Sequence, residues 1–183
     1  MGSLKMRAYA QGPAIISVFA ALVSSAFAQP APSMTGRDVQ VVARALGFLQ
    51  PPPAGDTWIA VVFSPDNPAS RHDAERIAAL FGDGVPIGGA TLHARPVGAD
   101  ALARAGGPSA LIAAAGAPMD IVMAAARSGR IACITAAREQ VEAGRCTIWV
   151  RSEPRVVIVV NQAVARSCGL DFAAAFRMMV REI

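Results

Sequence analysis

The chain has 183 residues, of which 54% are apolar, 5% aromatic and 16% charged, and its formal net charge is +4. This apolar fraction is enough to bury a core, which excludes a chain that is disordered throughout and fits one globular domain. After residue 28 the basic residues are single, scattered arginines. The sequence therefore lacks the basic patch that nucleic acids need, and we expect no nucleic-acid partner.

Residues 1–28 have the pattern of a cleaved secretory signal peptide. Lys5 and Arg7 make a positive start, residues 14–23 are an apolar stretch, and residues 26–28 read Ala-Phe-Ala, a small-x-small cleavage site. The apolar stretch is far shorter than the roughly 20 residues that span a bilayer. Cleavage would leave 155 residues with a formal charge of +2, because the segment holds two of the 17 basic residues and none of the 13 acidic ones. We expect export to the periplasm.

The mature chain begins with a predicted flexible lead-in over residues 29–35, and one α/β domain follows over residues 36–183. Apolar residues recur at helical spacing from Val39 to Leu49, and three prolines at 51–53 end that pattern, which predicts a helix of about 12 residues. Residues 59–63 are a continuous apolar run between turn residues. Such a run is typical of a strand that is covered on both faces.

Strands and helices then alternate, starting with Asn67 and Pro68, a helix cap and a first-turn proline. The spacing predicts a helix closed by Gly82, a strand over 90–97, a short helix over 100–105, a strand over 110–115, a helix ending at Gly129 and a strand over 131–135. A short link over 136–143 leads to a hairpin of 146–151 with 156–160, a helix over 161–167, and a last helix over 171–183 whose inward residues are Phe172, Phe176, Met179 and Val180.

This order of elements predicts the fold class. Alternation of strands and helices favours a single-domain α/β fold with a mostly parallel sheet and flanking helices, and the C-terminal hairpin adds an antiparallel edge. In such sheets ligands bind beyond the carboxyl ends of the strands, near helix N-termini. A small anion or an amino acid is the expected ligand class there, and loop and helix capping by the same residues is the alternative. The candidate ligand-binding residues are Ser64, Asp66, Asn67, Gly116, Ala117, Thr135 and Arg138.

Three cysteines in an exported chain indicate one disulfide and one remaining thiol. Cys133 and Cys146 are the better pair, since they are 13 positions apart, one on a strand and one at the start of the hairpin. The pair is either a redox-sensitive link that controls the hairpin or a plain structural staple. Cys168 has two alternatives, pairing with Cys146 or with a second chain, so a homodimer stays open.

No residue pattern indicates catalysis, a metal or a cofactor. His72 and His93 are the two histidines, and neither stands in a metal-ligand spacing or beside a recognisable nucleophile. We therefore expect a protein that is not an enzyme. Trp58 and Trp149 are expected to pack against the sheet, with Trp149 the candidate partner contact if it is exposed on the hairpin edge.

The last third of the chain resembles the YfiR-like family of small periplasmic proteins. The resemblance rests on the short strand at 131–135, the hairpin that ends at Asn161, and the pattern Asn-x-x-x-Ala-x-x-x-Gly-Leu formed by Asn161, Ala165, Gly169 and Leu170. The order of elements over residues 36–183 also fits. Residues 48–51, Phe-Leu-Gln-Pro, depart from the family, which has an aromatic-rich helix end before a Trp-Pro pair.

The resemblance implies a regulator in cyclic di-GMP signalling. Family members bind the periplasmic part of an inner-membrane diguanylate cyclase, hold it inactive and respond to disulfide state. The residues and the resemblance together predict a non-catalytic periplasmic repressor of a diguanylate cyclase or sensor, with a redox response through Cys133 and Cys146. The alternative is a solute-binding module that captures a small ligand and works with a transporter or sensor.

Overall fold

The structure, a computed structural model, describes residues 1–2 and 32–183. The predicted signal peptide and the first residues of the lead-in, apart from residues 1–2, lie outside the described residues. Within the described part, no helix has the length and apolar character needed to cross a membrane.

The described chain alternates helices and strands as expected. The helices are α1 (Gly36–Leu46), α2 (Pro68–Ala79), α3 (Met119–Gly129), α4 (Arg138–Glu142), α5 (Gln162–Ser167) and α6 (Ala174–Arg177), with a 3-10 helix at Leu102–Arg104. The strands are β1 (Gly55–Phe63), β2 (Val85–Ile87), β3 (Ala90–Gly98), β4 (Ala110–Ala113), β5 (Ala132–Thr135), β6 (Ile148–Arg151), β7 (Val157–Val160) and β8 (Arg181–Glu182).

All eight strands form one sheet in the order β2-β3-β1-β4-β5-β6-β7-β8. The central strands β3, β1, β4, β5 and β6 run parallel to one another, whereas β2 is antiparallel to β3, and β6 and β7 form the antiparallel hairpin. The predicted α/β class, the mostly parallel sheet and the C-terminal hairpin are confirmed. The parallel strands leave their carboxyl ends at one edge of the sheet, and the chain reverses direction across the sheet between β1 and β4.

The sheet is buried on both faces, which explains the continuous apolar runs of its central strands. Successive residues of β1 point to opposite sides: Val61 packs with α1, α2 and α6, whereas Val62 packs with α3, α4 and α5. Both valines are completely buried. The molecule is therefore a three-layer sandwich with two separate apolar cores, one on each side of the sheet.

Helix α1 is fastened at its start by a reciprocal cap. The Thr35 hydroxyl accepts from the Asp38 backbone N–H at 3.2 Å, and the Asp38 carboxylate accepts from the Thr35 N–H at 2.8 Å. The other Asp38 oxygen accepts from the Ser152 N–H at 2.6 Å, so the same side chain ties the helix to the turn of the hairpin. This contact places α1 beside the last strands of the sheet.

The predicted last helix over 171–183 is confirmed only for Ala174–Arg177. Helix α6 has only four residues, and the chain then extends as β8, which pairs in parallel with β7. Phe172 and Phe176 are buried as expected, but Met179 is 64% exposed. Without β8 the edge of β7 would offer unpaired backbone groups, and the pairing with β8 satisfies them. The hairpin is therefore not the edge of the sheet, which is β8 on this side and β2 on the other.

Candidate functional site

The loops that follow β1, β4 and β5 meet at the carboxyl edge of the sheet, where the sequence predicted a ligand site. Most polar groups of the β1 loop are engaged in structure. The Asn67 side-chain oxygen caps α2 by accepting from the N–H groups of Ala69 and Ser70 at 3.1 and 3.3 Å, and the Ser64 N–H donates to the Ser70 hydroxyl at 3.1 Å. Asp66 is exposed. Asn67 therefore acts in the capping role that was the alternative to ligand binding.

The crevice between β1 and β4, where ligands bind in many α/β sheets, is filled by the protein itself. The Asp73 carboxylate on α2 crosses it and accepts from the Ala115 N–H at 2.8 Å. Gly116 has a φ of 73°, and a Cβ there would lie 3.0 Å from the Asn67 side-chain nitrogen, so the position requires glycine. The Asp73 and Asn67 side chains therefore occupy this point.

A cavity of about 130 Å³ lies one strand further along, between the ends of β4 and β5. Gly116, Ala117 and Thr135 line it as predicted, together with residues that the sequence analysis did not single out, Pro32, Glu139 and Gln140. The Thr135 hydroxyl accepts from the Ala137 N–H at 3.0 Å, so it also fixes the turn into α4. The predicted site is thus split, with Ser64, Asp66 and Asn67 in the loop between β1 and α2 and with Gly116, Ala117 and Thr135 at the cavity.

Arg138 does not reach the cavity, contrary to the prediction. Its guanidinium pairs with Glu142 one turn later at 2.8 Å and lies 5.4 Å from the centre of the Trp149 ring. Helix α4 begins at Arg138, so the side chain projects along the outer surface of the helix and not toward the strand ends.

Trp149 is buried, which corrects its assignment as an exposed partner contact. It is 3% exposed, and its indole N–H donates to the Ala136 carbonyl at 2.9 Å. The reason is the sheet order, since β6 lies between β5 and β7 and both of its faces are covered. Trp58 is half-buried and carries the Arg95 guanidinium 3.6 Å from its ring centre. Both tryptophans are packing residues.

Cys133 and Cys146 form a disulfide, as predicted, with their Cα atoms 5.1 Å apart. Both half-cystines are completely buried. Cys133 is on β5, and the Thr147 N–H, one residue after Cys146, donates to the Cys133 carbonyl at 3.1 Å. The bond therefore joins β5 to the residue that leads into the hairpin, and it reinforces a backbone contact between the same two segments.

Cys168 is a buried free thiol at the end of α5. Because Cys146 is paired with Cys133, the alternative Cys146–Cys168 bond is wrong, and Cys168 is fully enclosed by its own chain. Burial raises the pKa of the Cys168 thiol, which keeps it protonated and weakly nucleophilic at neutral pH.

The end of the predicted lead-in is attached to α2. Met34 is 1% exposed, and the Arg76 guanidinium donates to its carbonyl at 2.8 Å. The Ser33 hydroxyl contacts both Asp73 and Arg76. Since Asp73 also holds the Ala115 N–H, this network joins the start of the described chain to the loop that borders the cavity.

A second surface feature, which the sequence analysis did not find, is an apolar groove of about 350 Å³ between α1, β7 and α6. We call it the C-terminal groove. Its residues are Val41, Ala45, Phe48, Val156, Ile158, Phe176 and Met179, with Arg44 at the rim. The sequence contained one sign of this groove. Val41 on α1 and Phe48 just after its end are apolar residues that lie outside the buried stripe of the helix. The C-terminal side of the groove was missed because Met179 was predicted to face inward.

The comparisons with known proteins bear on the fold. No family model matches the chain, and no curated protein matches it. Among solved structures, a chain described as a conserved domain protein from Vibrio cholerae O1 biovar El Tor strain N16961 superposes with a TM-score of 0.52 at 15% identity. The match covers 82% of this chain and 60% of the Vibrio chain, so this chain spans about three fifths of that protein. At this identity the likeness establishes the α/β architecture alone.

Proposed function

We propose that this chain is an exported, non-catalytic regulatory protein that binds the periplasmic part of an inner-membrane diguanylate cyclase or sensor and represses it. Repression responds to redox state through the Cys133–Cys146 disulfide. The proposal combines the resemblance of residues 131–172 to the YfiR-like family with one structural observation, the position of the disulfide.

The disulfide is the observation that carries the proposal. It joins β5 to the start of β6, and β7, the partner of β6, forms one wall of the C-terminal groove. Reduction removes the covalent link between β5 and the segment before the hairpin and leaves only their backbone pairing, and the groove wall is part of the same hairpin. Disulfides persist in oxidising compartments and are rare in the cytosol, which agrees with the expected export.

The test is repression of cyclic di-GMP synthesis in cells. The exported chain is co-expressed with each inner-membrane diguanylate cyclase of its source organism, and cellular cyclic di-GMP is measured. We expect a severalfold decrease with one of these cyclases, and a weaker decrease when both half-cystines are replaced (Cys133→Ser with Cys146→Ser). The matched control is Cys168→Ala, which keeps the disulfide and should repress like the wild type.

Two results would contradict different parts of the proposal. Full repression by the double cysteine variant would contradict the redox response and leave the regulatory function standing. Absence of repression and of binding across all the cyclases would contradict the regulatory function as well.

The cavity near Gly116 and Thr135 favours a second candidate function, a small-ligand module. A rise in melting temperature with amino acids or phosphate, equal in oxidised and reduced protein, would select that candidate.

A further inference from the structure

Most of the large exposed apolar side chains in the described part of the chain lie in two neighbouring segments. Among the described residues six large apolar side chains are exposed, and four of them, Val156, Met178, Met179 and Ile183, belong to the hairpin turn and the C-terminal segment. Val156 is 52% and Met179 64% exposed, and both line the C-terminal groove. Exposed apolar clusters of this kind mark interaction sites, whereas isolated exposed apolar residues are ordinary.

The segments that form the groove carry four exposed arginines, of which Arg44 lines the groove itself. Arg44 lies at the rim, Arg37 is two helical turns earlier on the same face of α1, Arg155 precedes Val156, and Arg177 follows Phe176. Within the described residues the two ion pairs are Arg76 with Asp73 and Arg138 with Glu142, so these four arginines have no carboxylate partner. The exposed carboxylates of the same segments are Glu153 and Glu182.

We propose that the C-terminal groove binds an amphipathic helix of a partner protein, with the apolar stripe of that helix in the groove and its flanking carboxylates against Arg37, Arg44, Arg155 and Arg177. The groove runs beside α1 from Val41 to Phe48, roughly 10 Å, which is the length of about two helical turns. Two turns present apolar anchors at positions i, i+3, i+4 and i+7, the pattern by which helices bind grooves. The identity of the partner as a regulated membrane protein rests on the proposed function. The chemistry of the bound helix is inferred from the groove alone.

A helix fits this surface better than an added strand does. The nearest sheet edge is β8, which has two residues, Arg181 and Glu182, both charged and exposed. An added strand would gain few main-chain hydrogen bonds there, because short charged edges resist strand addition. The groove instead offers a recess with apolar walls.

A second copy of this chain is a poorer occupant than an acidic helix. In a two-fold contact the same patch meets itself. Arg44, Arg155 and Arg177 of both copies would then face each other, and like charges at close range repel. A membrane surface would contact protruding side chains such as Met178, but it would leave the recess between Phe48 and Ile158 unfilled.

The experiment measures binding of a stapled helical peptide to the full chain by fluorescence anisotropy. The peptide has leucines at i, i+3, i+4 and i+7 and glutamates on both sides, and a matched peptide has lysines in place of the glutamates. We expect the acidic peptide to bind at least tenfold more tightly. Met179→Glu and Arg44→Glu should each weaken its binding at least tenfold, and the matched control Ile121→Glu, at a 45% exposed position on α3, should leave it unchanged.

Four other results would overturn the inference: no peptide binding, equal binding of both peptides, acidic-peptide binding that Met179→Glu and Arg44→Glu leave unchanged, or self-association that Met179→Glu abolishes. Binding to phosphatidylglycerol vesicles but not to phosphatidylcholine vesicles, lost in Met179→Glu, would also overturn it in favour of a lipid surface. Circular dichroism confirms that each variant is folded.

The repression assay separates the two proposals. If the wild type and Met179→Glu repress equally, this inference fails and the proposed regulatory function stands. If the peptide binds but no cyclase is repressed, the proposed function fails and the groove stands.

Discussion

At the scale of single residues, the Asp38 side chain joins two parts of the molecule that are far apart in sequence, the start of α1 and the turn of the hairpin. One carboxylate oxygen caps α1 and the other accepts the Ser152 N–H of the hairpin turn, 114 positions away in sequence. Burial acts to raise the pKa of Asp38, but the donors of Thr35 and Ser152 outweigh it and hold the pKa below its ordinary value. The charged form is therefore the one that the fold stabilises.

We expect Asp38→Asn to lower the free energy of unfolding by about 1 to 3 kcal/mol at neutral pH, since an amide cannot accept on both sides as the carboxylate does. A lowered pKa adds stability above the unfolded-state pKa and loses it as the pH falls through the folded-state pKa. The difference between wild type and variant should therefore shrink in acid. Urea denaturation at neutral pH and at about pH 3 measures it. Asp66→Asn, at an exposed position, is the control, and a pH-independent difference for Asp38→Asn would contradict this account.

At the scale of elements, the C-terminal segment shows how an edge determines local structure. The pattern of Phe172, Phe176 and Val180 is helical, yet the chain leaves the helix after Arg177 and joins β7. The Ile183 N–H donates to the Val160 carbonyl at 3.0 Å, and the Ile183 carbonyl accepts from the Gln162 N–H at 3.0 Å. Backbone pairing with an open strand therefore overrides the side-chain periodicity.

Deletion of residues 180–183 should cost about 1 to 3 kcal/mol and increase self-association, because the edge of β7 loses its cover. Urea denaturation and sedimentation velocity measure the two effects. The control is Arg181→Ala with Glu182→Ala, which keeps the backbone pairing of β8 and should change stability by less than about 0.5 kcal/mol. If the control is as damaging as the deletion, the side chains and not the backbone hold this segment.

At the scale of the whole molecule, one sheet connects every element. Trp58 on β1 and Trp149 on β6 lie in the same apolar core, and β4 and β5 separate their strands. The disulfide closes a loop within that core. Because the two apolar cores share the single sheet that lies between them, we expect the domain to unfold as one unit.

Single-tryptophan variants test this expectation. Trp58→Phe and Trp149→Phe leave one fluorescent probe each, and their denaturation midpoints should agree after correction for the stability of each variant. Reduction should then lower both midpoints together, since a disulfide that closes a loop of about 15 residues contributes roughly 3 kcal/mol. The oxidised protein is the reference. An early Trp149 transition with an unchanged Trp58 transition would show that the hairpin unfolds separately.

Local patterns in the sequence were sufficient for most of the elements and for the disulfide. Continuous apolar runs marked the buried strands, Asn67 and Pro68 marked the start of α2, and the positions of Cys133 and Cys146 indicated their pairing. These features depend on residues that are close in sequence, or on strands that neighbour each other in both sequence and space. Their physical causes are therefore present in the sequence itself.

Tertiary structure alone decided which surfaces are free. Trp149 is buried because β7 and β8 lie beyond β6, the β1 crevice is closed because Asp73 reaches Ala115, and the C-terminal groove exists because α1 and the C-terminal segment flank β7. Each of these depends on contacts between residues far apart in the chain. Exposure is a property of the assembled layers, because a side chain is covered by whatever packs over it and not by its sequence neighbours.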